Sequence, residues 1–326
     1  MSRMNLLVAA GTGALAAITA GMVSAQGAYP TRPITIVVAW PAGSAIDTMV
    51  RQMSEDLHAE LGQPVVVDNK SGAAGSIGAE AVATAKPDGY TLLFTSAALN
   101  MVAAMGTKTP FDVKDFVPVV NVARTPLILV AHPKLGVKTP KELVALAKAK
   151  PGVLFYAIAG YGAPSHFVAE MFRAKTGIKA SAVTFRGSPQ AMIDQVAGRV
   201  DFSVANASTA LPQIERKSIV GLAVTGGSRL PTAPDIPTME EDGFQGFEAA
   251  SYWDGILGPK GLPLPIAERF ASAVNKVLSR PDVREKLANS GNVVDGKSNP
   301  ASFAGLLESD LKIWTEVAKS ANIKAE

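Results

Sequence analysis

An α/β fold is predicted for this chain of 326 residues, with largely parallel strands alternating with helices. Three observations predict it. Short β-branched or apolar runs recur along the sequence, each is followed by a helix-period pattern, and small or turn-forming residues stand at most of the junctions. Such alternation leads to parallel sheets whose ligand sites lie at the carboxyl ends of the strands.

In chain order, Ile34–Ala39 is expected as a strand, turned by Trp40-Pro41-Ala42-Gly43 into an amphipathic helix over Ala45–Leu61 that stops at Gly62. Val65–Asp68 is a second strand, Ser76–Ala85 a helix that exits through Pro87-Asp88-Gly89, and Thr91–Thr95 a third strand. A loop and Phe116–Ala123 precede a strand at Ile128–Ala131. Thr139-Pro140-Lys141-Glu142 then opens a helix, with threonine at the N-cap, proline at N1 and an acid at N3, which runs to Lys150 before Pro151-Gly152. The theme repeats: strand Phe155–Ile158 and helix Ser165–Thr176, then strand Ala182–Phe185 and a helix to Ala197. Strand Phe202–Ala205, helix Thr209–Glu215 and strand Val220–Thr225 follow. The last third holds a strand near Gly255–Leu257 and helices at Pro265–Ser279, Pro281–Ser290 and Pro300–Ala321, each with proline in its first turn.

Composition narrows the function. Met1–Asn5 carries one positive charge at Arg3, Leu6–Ala20 is apolar, and Val23-Ser24-Ala25 supplies small residues. That pattern is a secretory signal peptide cleaved near Ala25, too short to span a membrane. No cysteine is present, so no disulfide holds the fold and no cysteine awaits lipid at the cleavage site. Without Arg3 the formal charge drops from +3 to +2, which argues against a nucleic-acid partner. His58, His132 and His166 lack metal-ligand spacing, so neither a metal site nor a cofactor is expected.

The loop Pro41–Asp47 aims helix N-terminal amides at whatever sits above it, an arrangement that suits anions. The plain alternative is an ordinary strand–helix turn in which Asp47 serves the helix dipole. It lacks the G-x-G-x-x-G and G-K-[ST] spacings of nucleotide sites. Gly160-Tyr161-Gly162-Ala163-Pro164-Ser165-His166 permits close backbone approach at its glycines. Adjacent Ser165 and His166 point about 100° apart on a helix and cannot form a nucleophile–base pair directly. No G-x-S-x-G elbow accompanies them, so an N-cap serine and a packing histidine are the plainer roles. Arg186, just past a strand, could take a carboxylate in bidentate fashion or lie solvated on the surface. Asn206 could bind a ligand or cap a turn, and Trp253 could wall a pocket or fill the core.

Taken together, several blocks resemble the substrate-binding proteins of tripartite tricarboxylate transporters, the Bug family. They run collinearly from Tyr29: Y-P-T-R-P-I-T-I-V-V (Tyr29–Val38), P-A-G-S-A-I-D, L-G-Q-P-V-V-V-D-N-K (Leu61–Lys70) and G-A-A-G-S-I-G (Gly72–Gly78). A-K-P-D-G-Y-T-L-L (Ala85–Leu93), the stretch ending at His166, F-R-G-S (Phe185–Ser188), A-L-P-Q-I, L-A-V-T and P-D-I-P-T follow in order. The resemblance implies a two-lobed periplasmic-binding-protein (Venus flytrap) fold, each lobe a mostly parallel sheet flanked by helices. It implies a signal peptide over residues 1–25, one lobe from 26–126 plus 249–326, and a second from 127–248. It further implies a monomeric periplasmic protein without catalysis that closes on a small organic carboxylate and delivers it to membrane permease subunits. By position, the site residues implied are Pro41, Ala42, Gly43, Ser44, Asp47, Thr95, Ser96, Gly160, Tyr161, Gly162, Ser165, His166, Arg186, Gly187, Ser188, Asn206 and Ser208.

The chain departs from the family pattern in places. Ser44 stands where a second glycine is usual, Ile46 where a small polar residue is common, Arg186 where lysine is frequent, and Tyr161 where asparagine is frequent. Ser44 adds a hydroxyl donor and Arg186 a planar bidentate cation. Ile46, Tyr161 and, where it points inward, Trp40 favour an apolar or aromatic body bearing a carboxylate. Two other classes stay open on the residues: an exported hydrolase working through Ser165 or Asp47, and a sensor that presents its closed form to a membrane signalling partner.

Overall fold

The computed structural model describes residues 29–247, 250–294 and 296–325; the expected signal peptide and its cleavage point lie outside them. Two sheets organise the described residues. The first has the order β11-β4-β10-β3-β1-β2 and the second β7-β6-β8-β5-β9. The first takes β1 (Ile34–Val38), β2 (Val65–Asn69), β3 (Thr91–Ser96), β4 (Phe116–Thr125), β10 (Tyr252–Pro259) and β11 (Val293–Val294). The second takes β5 (Leu127–Ala131), β6 (Leu154–Ile158), β7 (Ala180–Thr184), β8 (Phe202–Asn206) and β9 (Val220–Val224).

Most strands run the same way in each sheet, as expected: four of the six in the first and four of the five in the second. The β-α-β portions pair in parallel, β1 with β2 and β3, and β6 with β7 and β8. The strand that follows each crossing between sheets runs the other way: β10 is antiparallel to β3 and β4, and β5 to β8 and β9. A strand that enters from the other sheet carries no crossover helix, so nothing obliges it to run parallel.

Alternation along the strands decides which core each side chain joins. Ile34, Ile36 and Val38 of β1 pack with Met49, Val50, Met53 and Leu57 of α1 (Ala45–Leu61) and Phe270 and Val274 of α8 (Leu264–Ser279). Val37 faces the opposite layer, with Val82 of α2 (Ser76–Ala83), Met101 of α3 (Ala98–Ala104) and Trp314 of α10 (Pro300–Ser320). In the second sheet Leu127 and Leu129 join that same layer beside Phe167 and Phe172 of α5 (Pro164–Thr176). Ile128 and Val130 face Met192 of α6 (Ser188–Val196) and Leu211 of α7 (Ala207–Glu215). Each such fully buried side chain contributes about 1.5–3 kcal/mol. One apolar layer therefore runs through both sheets, and Phe167 meets Trp314 edge-to-face at 5.8 Å.

The remaining helices follow their sequence signals. Thr139 caps α4 (Pro140–Ala149) by accepting from the Glu142 amide, and proline opens α9 (Pro281–Asn289) and α10. The segment read as a loop before Phe116 contains α3, a short apolar run whose periodicity is too brief to register. The chain passes between sheets at Pro126, and again over residues 225–251. The two crossings are neighbours, because Thr125 and Tyr252 are register partners at one end of the β4–β10 ladder.

Candidate functional site

A cavity of about 530 Å³ opens where ends of both sheets meet. The first sheet contributes Trp40–Ile46 and Ser96, the second Ala159, Ala163–Ser165, Arg186–Pro189, Asn206, Ser208 and Thr209. After four of these strand ends, those of β1, β6, β7 and β8, the following helix points its N-terminus at the space. Ser44 caps α1, Gly187 precedes α6 and Asn206 precedes α7, while α5 begins with Pro164. Amides in a first helical turn have no intrahelical acceptor, so four helices of at least eight residues present donors and the positive ends of their dipoles.

The first loop is held by Asp47. Its buried carboxylate accepts from the Gly43 amide at 2.8 Å, from Asn69 Nδ2 at 2.8 Å and from Arg51 Nε at 3.0 Å. Asn69 also donates to the Trp40 carbonyl, tying β2 to the turn. Gly43 sits at φ +78°, a left-handed turn position that glycine adopts without strain. Burial works against the charge of Asp47, but the bonds from Arg51, Gly43 and Asn69 outweigh it and hold the pKa below the ordinary carboxylate value. A depressed pKa stabilises the fold above the unfolded value of about 3.9, and that contribution fades as pH falls through the folded value. Asp47→Asn is therefore expected to cost about 1–3 kcal/mol in urea unfolding at neutral pH, with the difference from wild type shrinking at acid pH.

Of the residues implied by resemblance, the structure gathers Pro41, Ala42, Gly43, Ser44, Ser96, Ser165, Arg186, Gly187, Ser188, Asn206 and Ser208 around one space. It places six elsewhere. Asp47 lies behind its loop, and Thr95 is buried within β3. Gly160, Tyr161, Gly162 and His166 form a turn that leans away from the cavity. Tyr161 donates to the Lys324 carbonyl at 2.9 Å, its ring lies 4.6 Å from that of His166, and His166 Nδ1 accepts from the Gly162 amide. Ser165 Oγ accepts from the Ala159 amide at 3.1 Å. Serine and histidine thus each hold the turn's backbone, but the N-cap position belongs to Ala163, not to Ser165, which sits inside the first turn of α5 and ties it back to the end of β6.

The wall also includes residues outside that set. Thr48, Met49 and Gln52 extend it along one face of α1, while Tyr252, Ser290 and Asn292 arrive from the C-terminal return. Helical spacing from Ala45 puts Thr48, Met49 and Gln52 on one side, which the sequence displays only once the loop is known to face a cavity. Trp40 is part of the wall. Trp253 is fully buried and donates to Asp310 instead, which settles its two readings for the core. Tyr252, the preceding residue, faces the cavity and donates to Asn206 Oδ1 at 3.1 Å, joining the sheets across it.

Arg186 is the one charged side chain among the described residues that line the space. It is exposed, and among the described residues no carboxylate pairs with it. No cluster of metal ligands occurs among the described residues, and no helix of theirs is long and apolar enough to cross a membrane.

Residues 49–323 match the model of the tripartite tricarboxylate transporter family receptor. The chain is similar to Protein BugT of Bordetella pertussis, 33% identical over 327 residues covering 99% of each chain. Two solved structures resemble it over 91% of its length. One is the periplasmic binding protein BugD, at 31% identity and a TM-score of 0.80 over 100% of that chain. The other is Rpa4515 of R. palustris with adipate, at 31% identity and a TM-score of 0.81 over 99% of that chain.

Proposed function

Since the chain belongs to the tripartite tricarboxylate transporter receptor family, a solute-binding family, we propose that it captures a small carboxylate in the cavity between its two sheets. The observation that carries this reading is electrostatic. Four helix N-termini and the unpaired Arg186 converge on a lining that holds no acid among the described residues. Such a site gains from a negative guest and has no group suited to general acid–base work.

The rest of the lining supports an apolar or aromatic body, with one carboxylate or two. Trp40, Ile46, Met49, Pro164 and Pro189 contribute hydrocarbon surface, and Arg186 offers planar bidentate geometry to one carboxylate. The guest leaves unchanged and passes to the membrane subunits of a tripartite transporter. The protein does so as a periplasmic monomer, its leader removed near Ala25, with residues 26–126 plus 249–326 and residues 127–248 as the two lobes that close on the guest.

A thermal-shift screen followed by calorimetry with benzoate, adipate, malate and citrate tests the reading. Benzoate or adipate is expected to raise the melting temperature in a concentration-dependent way, since a guest that binds only the folded state stabilises it by mass action. Tighter binding of malate or citrate than of either apolar-bodied acid overturns the preference. No shift with any of the acids, or conversion of a guest to product, overturns the proposal.

A further inference from the structure

Beside the cavity, one hydroxyl hydrogen stands between two oxygens. Thr125 Oγ1 lies 2.5 Å from Asp254 Oδ2 and 2.8 Å from Asn292 Oδ1. A threonine hydroxyl carries a single hydrogen, so it can donate to only one of them. An ionised carboxylate and an amide oxygen both accept, and two lone pairs would then oppose each other across one of the contacts. Two arrangements resolve the conflict. Either a protonated Asp254 donates to Thr125 while Thr125 donates to Asn292, or an ionised Asp254 accepts from Thr125 while the Asn292 amide turns its Nδ2 to Thr125. The buried, cation-free setting of Asp254 selects the first.

The surroundings fit that assignment. Asp254 is buried, and its Oδ1 has no hydrogen-bond partner. Its partners in the neighbouring strands are Ser96 on β3 and Ala123 on β4. Tyr252 is the titratable group beside it, with its hydroxyl donating to Asn206 and also within reach of Thr125, and no described lysine or arginine offsets the charge of Asp254. Arg124 and Asp310 lie on the other side of the sheet with Trp253. Burial pushes the Asp254 carboxyl up to about 7, with the Thr125 bond pulling the other way. The far end of the relay is open: Asn292 lines the cavity, and among the described residues nothing accepts from its Nδ2.

Resting on the carboxylate reading of the cavity, we propose that protonated Asp254 is a positioning residue that acts through Thr125 to hold Asn292 with its amide N–H groups toward an anionic guest, so that capture is coupled to proton uptake. When Asp254 ionises, it draws the Thr125 hydrogen to itself. Asn292 must then turn its Nδ2 to Thr125, which presents its carbonyl oxygen to the guest. A second negative charge beside the cavity adds to the repulsion. The sign follows: the binding form exists below the Asp254 pKa and is lost as pH rises through it.

Two measurements on the mature protein decide this. Carbon-13 NMR of aspartate carboxyls, without any guest, is expected to show one signal titrating near neutrality that is missing from Asp254→Asn. All aspartates titrating at ordinary acid values would overturn the proposal. Calorimetry with benzoate and adipate is expected to show wild type binding about tenfold more weakly at about pH 8.5 than at about pH 6. Asp254→Asn, whose amide can donate to Thr125 and does not titrate, is expected to flatten that profile. Thr125→Val, which cuts the relay without touching the carboxyl, should also flatten it, at the weaker affinity. A pH-independent wild type, or variants that keep the wild-type slope, would sink the coupling while leaving the carboxylate site intact. Binding of neither acid at either pH would instead overturn the carboxylate reading, with the NMR titration still judging the proton on Asp254.

Discussion

Replacing Asp310 by alanine is expected to destabilise the fold by about 3–5 kcal/mol, a larger change than at any surface position. Asp310 of α10 is buried and accepts from Asn100 Nδ2 at 2.9 Å, Trp253 Nε1 at 2.9 Å and Trp314 Nε1 at 2.8 Å. Burial raises its pKa, and the bonds from Asn100, Trp253 and Trp314 offset part of that rise. Truncation removes the acceptor shared by two indoles that have no route to water, and each abandoned buried donor costs about 1–3 kcal/mol. Asn100 keeps a bond to the Leu307 carbonyl, so its loss is smaller. At about 2–4 °C per kcal/mol for a chain approaching this size, the melting temperature should fall by roughly 6–20 °C. Urea unfolding of Asp310→Ala beside wild type measures it, and a change below about 1 kcal/mol would show that the cluster holds nothing together.

Arg186→Ala is expected to weaken the binding of benzoate and adipate about 10–100-fold, while the melting temperature without guest stays within about 1 °C. The separation of effects follows from structure. Arg186 is exposed and pairs with no carboxylate among the described residues, so its removal leaves nothing unsatisfied in the empty protein. A charge-assisted bond to a guest carboxylate is worth about 1.5–3 kcal/mol, and planar bidentate geometry places it at the upper end. Arg186→Lys keeps the charge and loses the fork, so an intermediate affinity is expected. Calorimetry at fixed pH measures both variants; affinities equal to wild type would remove Arg186 from the site.

Much of this molecule is legible in the sequence, because local signals and tertiary demands agree. Ile34–Val38 is β-branched and buried on both faces, and Thr139-Pro140-Glu142 meets the needs of a helix start, so both elements stand where their residues predict. The cavity loops were visible for a similar reason, since strand ends that open helices collect ligands in α/β sheets. Legibility fails where a face must be chosen. In Ser251-Tyr252-Trp253-Asp254 every residue is buried, so hydropathy does not tell which side of β10 meets the cavity. The register alone sends Tyr252 toward Asn206 and Trp253 toward Asp310. The Gly160–Gly162 turn looked like a cradle because glycine permits close approach, but the partner approached is Met105, with which a Cβ at Gly162 would collide. Asn292 gave no signal at all, because its place depends on the C-terminal return reaching the end of β4.

The position of β10 between β3 and β4 has a consequence for how the molecule is born. The five strands of the second sheet come from one uninterrupted stretch, Leu127 to Val224, so they can assemble without any residue beyond Val224. The first sheet starts earlier in the chain yet finishes later, since its middle strand begins at Tyr252 and the helix bearing Asp310 starts at Pro300. The half translated first must therefore wait, its β3 and β4 margins unzipped, until nearly the whole polypeptide has been made.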